Sequence, residues 1–194
     1  MSSSDLKDRA EEIEALVEKI KKGDQNSYSA LYDIFIDPIY RYVYFRVNKS
    51  DAEDLTETVF LKVWENIKKY KKGKASFSSW IFRIAHNLVV DYYRVNKNKL
   101  TSELTINIPD YKREHNPIKV TENLMHQDVL RAAINKLKKN YQEIIILKFI
   151  NECSNSEISD MLKKSEGSLR ILQHRALKAL RKELKAMGIN YDLE

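Results

Sequence analysis

Apolar residues recur along this chain at intervals of three and four, the spacing that turns one face of an α-helix toward a core. Ile13, Leu16, Val17 and Ile20 form such a stripe over 12–22, and Gly23 with Asp24 ends it. Over 27–47 the apolar positions come in pairs: Leu31-Tyr32, Phe35-Ile36, Ile39-Tyr40, Val43-Tyr44, then Val47. Pro38 interrupts that broad stripe and is expected to kink or split the helix, because it lacks the N–H that the ladder needs. Residues 51–68 place Leu55, Val59, Phe60, Val63, Trp64 and Ile67 on one face. A basic loop, KYKKGKAS (69–76), follows. Ser76 or Ser78 then caps a helix that carries Phe77, Trp80, Ile81, Ile84, Ala85, Leu88 and Val89 and runs to about Tyr93 or Lys97.

Residues 98–125 break the pattern. They are polar, contain Pro109 and Pro117, and hold no sustained period, so they read as a linker. Four further helices follow, the first two over about 127–138 and 141–150. Ser154 and Glu157 form a capping box for the third, which carries Ile158, Met161 and Leu162. Ser165 caps the last, with Leu169, Leu172, Ala176, Leu180 and Leu184. A short helix, a turn with Gly167 and a longer basic helix make a helix-turn-helix pattern. The expected fold class is all-α, two small helical domains joined by a flexible linker, the second a helix-turn-helix. The expected divisions are an N-terminal helix or extension over 1–23, a first domain over 24–97, the linker over 98–125, a second domain over 126–186 and a tail over 187–194.

Composition sharpens the division. With 4 Gly and 3 Pro the chain holds few turn formers for an all-β fold. Fifteen of its 19 aromatic residues lie between Tyr28 and Tyr93, so the first core is aromatic and the second aliphatic. The net charge of +6 is unevenly spread. Residues 51–65 carry five acids against Lys62, whereas 66–99 carry nine basic side chains against Asp91 and 131–186 carry thirteen against six acids. Each charged run is either a solvated face or a binding surface. On the second reading there are two nucleic-acid surfaces and one surface for a basic protein partner.

Several classes are disfavoured. The single Cys153 excludes an internal disulfide and a Cys-based zinc site, and His86, His115, His126 and His174 lie far apart without ligand spacing. No glycine-rich phosphate loop, nucleophile elbow or dinucleotide fingerprint occurs, so no enzyme, cofactor or metal is expected. No apolar run approaches the roughly 20 residues of a membrane span. The polar N-terminus reads as no secretory signal, and a cytoplasmic protein is expected.

The candidate chemistry is recognition. On the last helix Arg170, Ile171, His174, Lys178 and Arg181 face away from the apolar stripe. A major groove admits one such helix, whose first residues reach base edges while later ones meet phosphates. That order makes Arg170 and His174 the candidate base readers and Arg175, Lys178 and Arg181 candidate phosphate contacts. In the first half, the lysines of 68–74 run into Phe77 and Trp80, with Asn87 two turns on. Charge beside aromatic faces suits single-stranded DNA, although helical spacing also suits a core role for both aromatics, and for Trp80 the core is favoured.

These segments resemble a known family. DAEDLTETVFLKVWENI (51–67) followed by FSSWIFRIAHNLVVDYYR (77–94) is similar to domain σ2 of bacterial extracytoplasmic-function sigma factors. The stretch 137–184, from LKKNYQEII to RKEL, is similar to their domain σ4. The resemblance implies binding to RNA polymerase core and promoter-specific initiation. Asp51, Glu53, Asp54, Leu55 and Glu57 would dock on the clamp helices of the largest subunit. Lys72, Lys74, Ala75, Ser76, Phe77 and Asn87 would melt the −10 element and hold an extruded base. Ser168, Arg170, Ile171, His174 and Arg175, with Lys178, would read −35 duplex. An anti-sigma factor is a further expected partner. The competing reading is a stand-alone helix-turn-helix regulator with an N-terminal sensing or dimerisation domain.

Overall fold

The computed structural model describes Leu6 and residues 9–73, 75–103 and 128–189. Their regular structure is helical throughout. The first domain holds α1 (Ala10–Lys21), α2 (Gln25–Tyr44), α3 (Ala52–Asn66) and α4 (Phe77–Glu103), with 3-10 turns at Lys49–Asp51 and Ile67–Lys69 on either side of α3. The second holds α5 (128–135), α6 (Lys139–Ile145), a π-helical turn Ile146–Ile150, α7 (Asn155–Leu162) and α8 (Glu166–Ala186).

Local chemistry starts these helices. The Asp24 carboxylate accepts from the backbone N–H of Asn26 and Ser27 and so caps α2. Ser76, not Ser78, caps α4 by accepting from the Ser79 N–H at 3.2 Å, while Ser78 is buried. The aromatic core is built edge to face. Phe35 meets Phe77 at 5.7 Å between centroids, Tyr42 meets Phe82 at 5.8 Å, and Tyr70 meets Phe77 at 5.2 Å. α1 is no appendage, because Ile13, Val17 and Ile20 enter this core and the Tyr70 hydroxyl donates to Glu14.

Two expected boundaries differ. Pro38 does not split α2, which runs unbroken through it. Proline removes only its own N–H from the ladder, and Phe35, Ile39, Tyr42 and Val43 bury both halves in one core. α4 continues to Glu103 rather than ending near Lys97. The sequence 94–103 carries no Gly or Pro to stop it. Of the expected linker, 104–125 lies outside the described residues.

The second core is aliphatic: Ile134, Ile144–Leu147, Ile158, Met161, Leu169 and Leu180, with Cys153 buried among them. The domains touch. α4 packs on α7, and the Arg83 guanidinium donates to the Asp160 carbonyl. Arg131 donates to the carbonyls of Tyr44 and Val47 and lies 4.5 Å from the centre of the Tyr44 ring. Arg46 and His86, from the first domain, converge on the same Glu143 carboxylate oxygen.

Candidate nucleic-acid interface

The second domain presents one long helix. Ser154 accepts from the Glu157 N–H while the Glu157 carboxylate accepts from the Ser154 N–H, the capping box that opens α7. α7 ends on Lys163, whose φ of 53° is left-handed, and Ser159 Oγ donates to the Lys164 carbonyl at 2.6 Å. Ser165 then accepts from the Ser168 N–H and starts α8. The turn is therefore Lys163 to Ser165, and Gly167 sits inside α8 rather than in the turn. Leu169, Ala176 and Leu180 anchor α8 inward, and Gln173 donates to Asn155 of α7 at 2.8 Å. The outer face carries Ser168, Arg170, Ile171, His174, Arg175 and Lys178, all exposed. Ile171 is 57% exposed, an apolar group set among cations and suited to a thymine methyl.

The first domain presents two surfaces on either side of α3. On one, Asp54, Glu57, Leu61 and Trp64 share a stripe at steps of three and four, so acids at the helix start pass into apolar groups. Acids there also suit the positive end of the helix dipole. Leu61 is 63% exposed and Trp64 47%, against the expectation that Trp64 lies with the core face. Trp64 instead edges the Tyr28 ring at 4.8 Å, and Tyr32 tilts against Phe60 at 4.5 Å. Glu53 is exposed, whereas Leu55 is half-buried against the core. Asp51 is engaged already, since its carboxylate accepts from the Tyr92 hydroxyl. Burial, with that bond, pushes Tyr92 up to about 12.

The other side of α3 forms a groove with α4, about 420 Å³ in volume. Lys62, Asn66 and Lys69 line one wall, and Trp80, Ile84, Asn87, Leu88 and Asp91 line the other. That volume lies within the roughly 300–1,000 Å³ of small-ligand clefts. Its lining combines lysine charge, amide and carboxylate groups able to read a base edge, and an indole wall. Of the residues expected at −10, the groove takes Asn87 alone. Lys72 is exposed, Ala75 and Ser76 are half-buried, and Lys74 lies outside the described residues. Phe77, at 1% exposure, lies in the core between Phe35, Tyr70 and Trp80. The sequence pattern did not single out Leu61, Lys62 or Asn66, whereas Lys69 lies within the lysine run 68–74 that it did. The signal was present, since apolar residues on α3 exceed one stripe and the three polar ones recur at i, i+4 and i+7.

Among the described residues no cluster of His, Cys, Asp and Glu is suited to hold a metal ion, and no helix is long and apolar enough to cross a membrane.

A helix-turn-helix with a basic outer face, joined to a helical domain with a mixed groove and an acidic-apolar stripe, defines a two-domain transcription protein. The model for Sigma-70 region 2 matches residues 31–99, and that for Sigma-70, region 4, matches residues 127–180. The chain belongs to the extracytoplasmic-function RNA polymerase sigma factors of the sigma-70 family. It is 31% identical to the ECF RNA polymerase sigma factor SigW of Bacillus subtilis over 183 residues, covering 89% of this chain and 97% of SigW. It is also 31% identical to BldN of Streptomyces coelicolor over 166 residues, covering 85% of this chain but spanning only 63% of BldN. The fold matches that of CnrH, solved in complex with the cytosolic domain of CnrY, with a TM-score of 0.67 at 20% identity, over 89% of this chain and 96% of CnrH. It matches the sigma factor RpoE of Bartonella quintana, solved with the anti-sigma factor NepR, with a TM-score of 0.63 at 17% identity, over 81% of this chain and 96% of that one.

Proposed function

We propose that this chain is a promoter-specificity subunit of RNA polymerase, active only when bound to the core enzyme and doing no chemistry of its own. The acidic-apolar stripe of α3 is the core-docking surface: Glu53, Asp54 and Glu57 supply charge, Leu61 and Trp64 supply apolar contact, and Asp51 and Leu55 set the start of the helix. The groove between α3 and α4, lined in part by Asn87, takes the unpaired −10 strand, and Lys72, Lys74, Ala75 and Ser76 are further contacts to that strand. Lysines neutralise phosphates while the groove receives a base that has left the stack. Ser168, Arg170, Ile171, His174, Arg175 and Lys178 enter the major groove at −35. The observation that carries this reading is the series itself: one chain holding a region-2 match followed by a region-4 match. A stand-alone regulator has no need of the α3 stripe or of the region-2 match.

By analogy with the RpoE and NepR complex, an anti-sigma factor is a fitting regulatory partner. A cytoplasmic location follows from the proposed partner. The test is co-purification of the full chain with core polymerase. Asp54→Arg reverses a charge on the stripe and is expected to weaken core binding at least tenfold. Unchanged binding by Asp54→Arg would remove the stripe from the account, and no binding by the wild type would remove the function.

A further inference from the structure

Tyr70 stands at the root of the basic loop, next to both walls of the groove. Lys69, its chain neighbour, lines one wall, and Trp80, which lines the other, lies 5.5 Å from the Tyr70 ring between centroids. Phe77, the first residue of α4, edges the same ring at 5.2 Å. Tyr70 thus joins the end of the 3-10 turn Ile67–Lys69 to the start of α4, the two ends of the loop that carries Lys71, Lys72 and Lys74. The residue is 4% exposed, and α1 holds it at two points. Its hydroxyl donates to Glu14 Oε1 at 2.7 Å, and Lys21 Nζ lies 5.3 Å from the ring centre. The other Glu14 oxygen, Oε2, is buried and has no hydrogen-bond partner among the described residues. α1 itself precedes the region-2 match, which begins at residue 31.

A carboxylate in this setting adds little to stability, because its enclosed, unpaired oxygen costs about as much as one bond to Tyr70 returns. What the bond supplies is direction. A phenol packed only by other rings can turn, whereas a hydroxyl tied to a carboxylate sets the tilt of its ring. Burial, with the Glu14 bond, pushes the Tyr70 hydroxyl well above its ordinary range, so it stays a donor at neutral pH. A site that receives a base needs walls already in place, since a slip of about 1 Å in a supporting contact degrades it. We propose that Glu14 is a positioning residue for the −10 strand: acting through Tyr70, it fixes Trp80 and Lys69 at the spacing that admits an unpaired base. The inference rests on the promoter reading above.

The test uses holoenzyme, core polymerase with the full chain, on a promoter located by start-site mapping and presented as duplex with its −10 non-template strand left unpaired. Tyr70→Phe removes the hydroxyl and keeps the ring, and is expected to weaken binding of this probe about tenfold. Glu14→Ala is expected to weaken it equally, and the double variant no further, because both remove one bond. Glu14→Gln keeps an oxygen that accepts from Tyr70, and is expected to bind within about threefold of wild type. Should Glu14→Ala lose helicity by circular dichroism, Tyr70→Phe and Glu14→Gln carry the test. A Tyr70→Phe holoenzyme that binds the probe as wild type does overturns the inference alone. So do additive losses in a folded double variant, or a Glu14→Gln loss as large as that of Tyr70→Phe. A wild-type holoenzyme that binds the probe no better than core does overturns the promoter reading, and this inference with it.

Discussion

Phe77 shows how much one aromatic residue depends on its neighbours. It follows a run of lysines, where an exposed ring would stack on an unpaired base. Instead Phe35, Tyr70 and Trp80 enclose it. Removing it opens a cavity in the first core, so Phe77→Ala is expected to lower stability by about 3–5 kcal/mol, read by urea unfolding. Unchanged stability with lost promoter melting would instead make it a DNA contact. Arg170 offers the opposite case: it is exposed and lies in the first turns of α8. Arg170→Ala is expected to leave unfolding unchanged and to weaken −35-dependent transcription about tenfold to a hundredfold, as for the loss of a base contact worth about 1–3 kcal/mol. The caps at Ser154 and Ser165 were legible in the sequence because capping is settled within four residues. Phe77 and Trp64 were not, because an aromatic at helical spacing has the same sequence signature on either side of the helix surface, and only the packing of α2 decides.

At the scale of elements, the helices were legible and their ends less so. Pro38 inside α2 shows tertiary burial outweighing the loss of one backbone bond. The extra length of α4 shows that a fading apolar period does not end a helix that meets no Gly or Pro. The two faces of α3 were hidden for a different reason: a helix that packs on one stripe, exposes apolar groups on a second and lines a groove with a third has no single amphipathic pattern. Leu61 separates docking from packing, because at 63% exposure it supports little of the fold. Leu61→Ser is expected to change unfolding by less than about 0.5 kcal/mol. It is expected to weaken core binding about tenfold in a competition titration, the loss of about 1.4 kcal/mol from an apolar contact. Equal affinity for both proteins would place docking elsewhere.

At the scale of the molecule, the charge distribution was readable from the sequence but the contact between the domains was not. The positive block over 66–99 and the one over 131–186 suggest two surfaces facing DNA. The structure places Arg83, Arg131 and Lys139, drawn from these same blocks, in the contact between domains. Sequence separations of 77 to 97 residues between Arg83 and Asp160 and between Arg46 and Glu143 leave no local pattern to find. The contact has a pH signature. Burial raises the Glu143 carboxyl, but the His86 bond and the nearby Arg46 charge outweigh burial and hold it below its ordinary 4.5. A depressed carboxyl contributes in full above its unfolded pKa and loses that contribution as pH falls through its folded one. The radius of gyration from solution X-ray scattering is therefore expected to stay flat down to about pH 4.5 and rise below it, with the step absent in Glu143→Gln. Tyr42, His86 and Arg46 are the titratable or charged groups facing Glu143.

A promoter-specificity subunit gives core polymerase a promoter that core does not otherwise read. The most direct measurement of that role is run-off transcription from a genomic fragment library with core enzyme alone, core plus the chain, and the chain alone, followed by mapping of the start sites. New starts are expected only when core and chain are combined, sharing one motif near −10 and another near −35. Arg170→Ala is expected to remove the starts that depend on the upstream motif. Starts identical with and without the chain, or tight sequence-specific binding by the chain in the absence of core, would contradict that role.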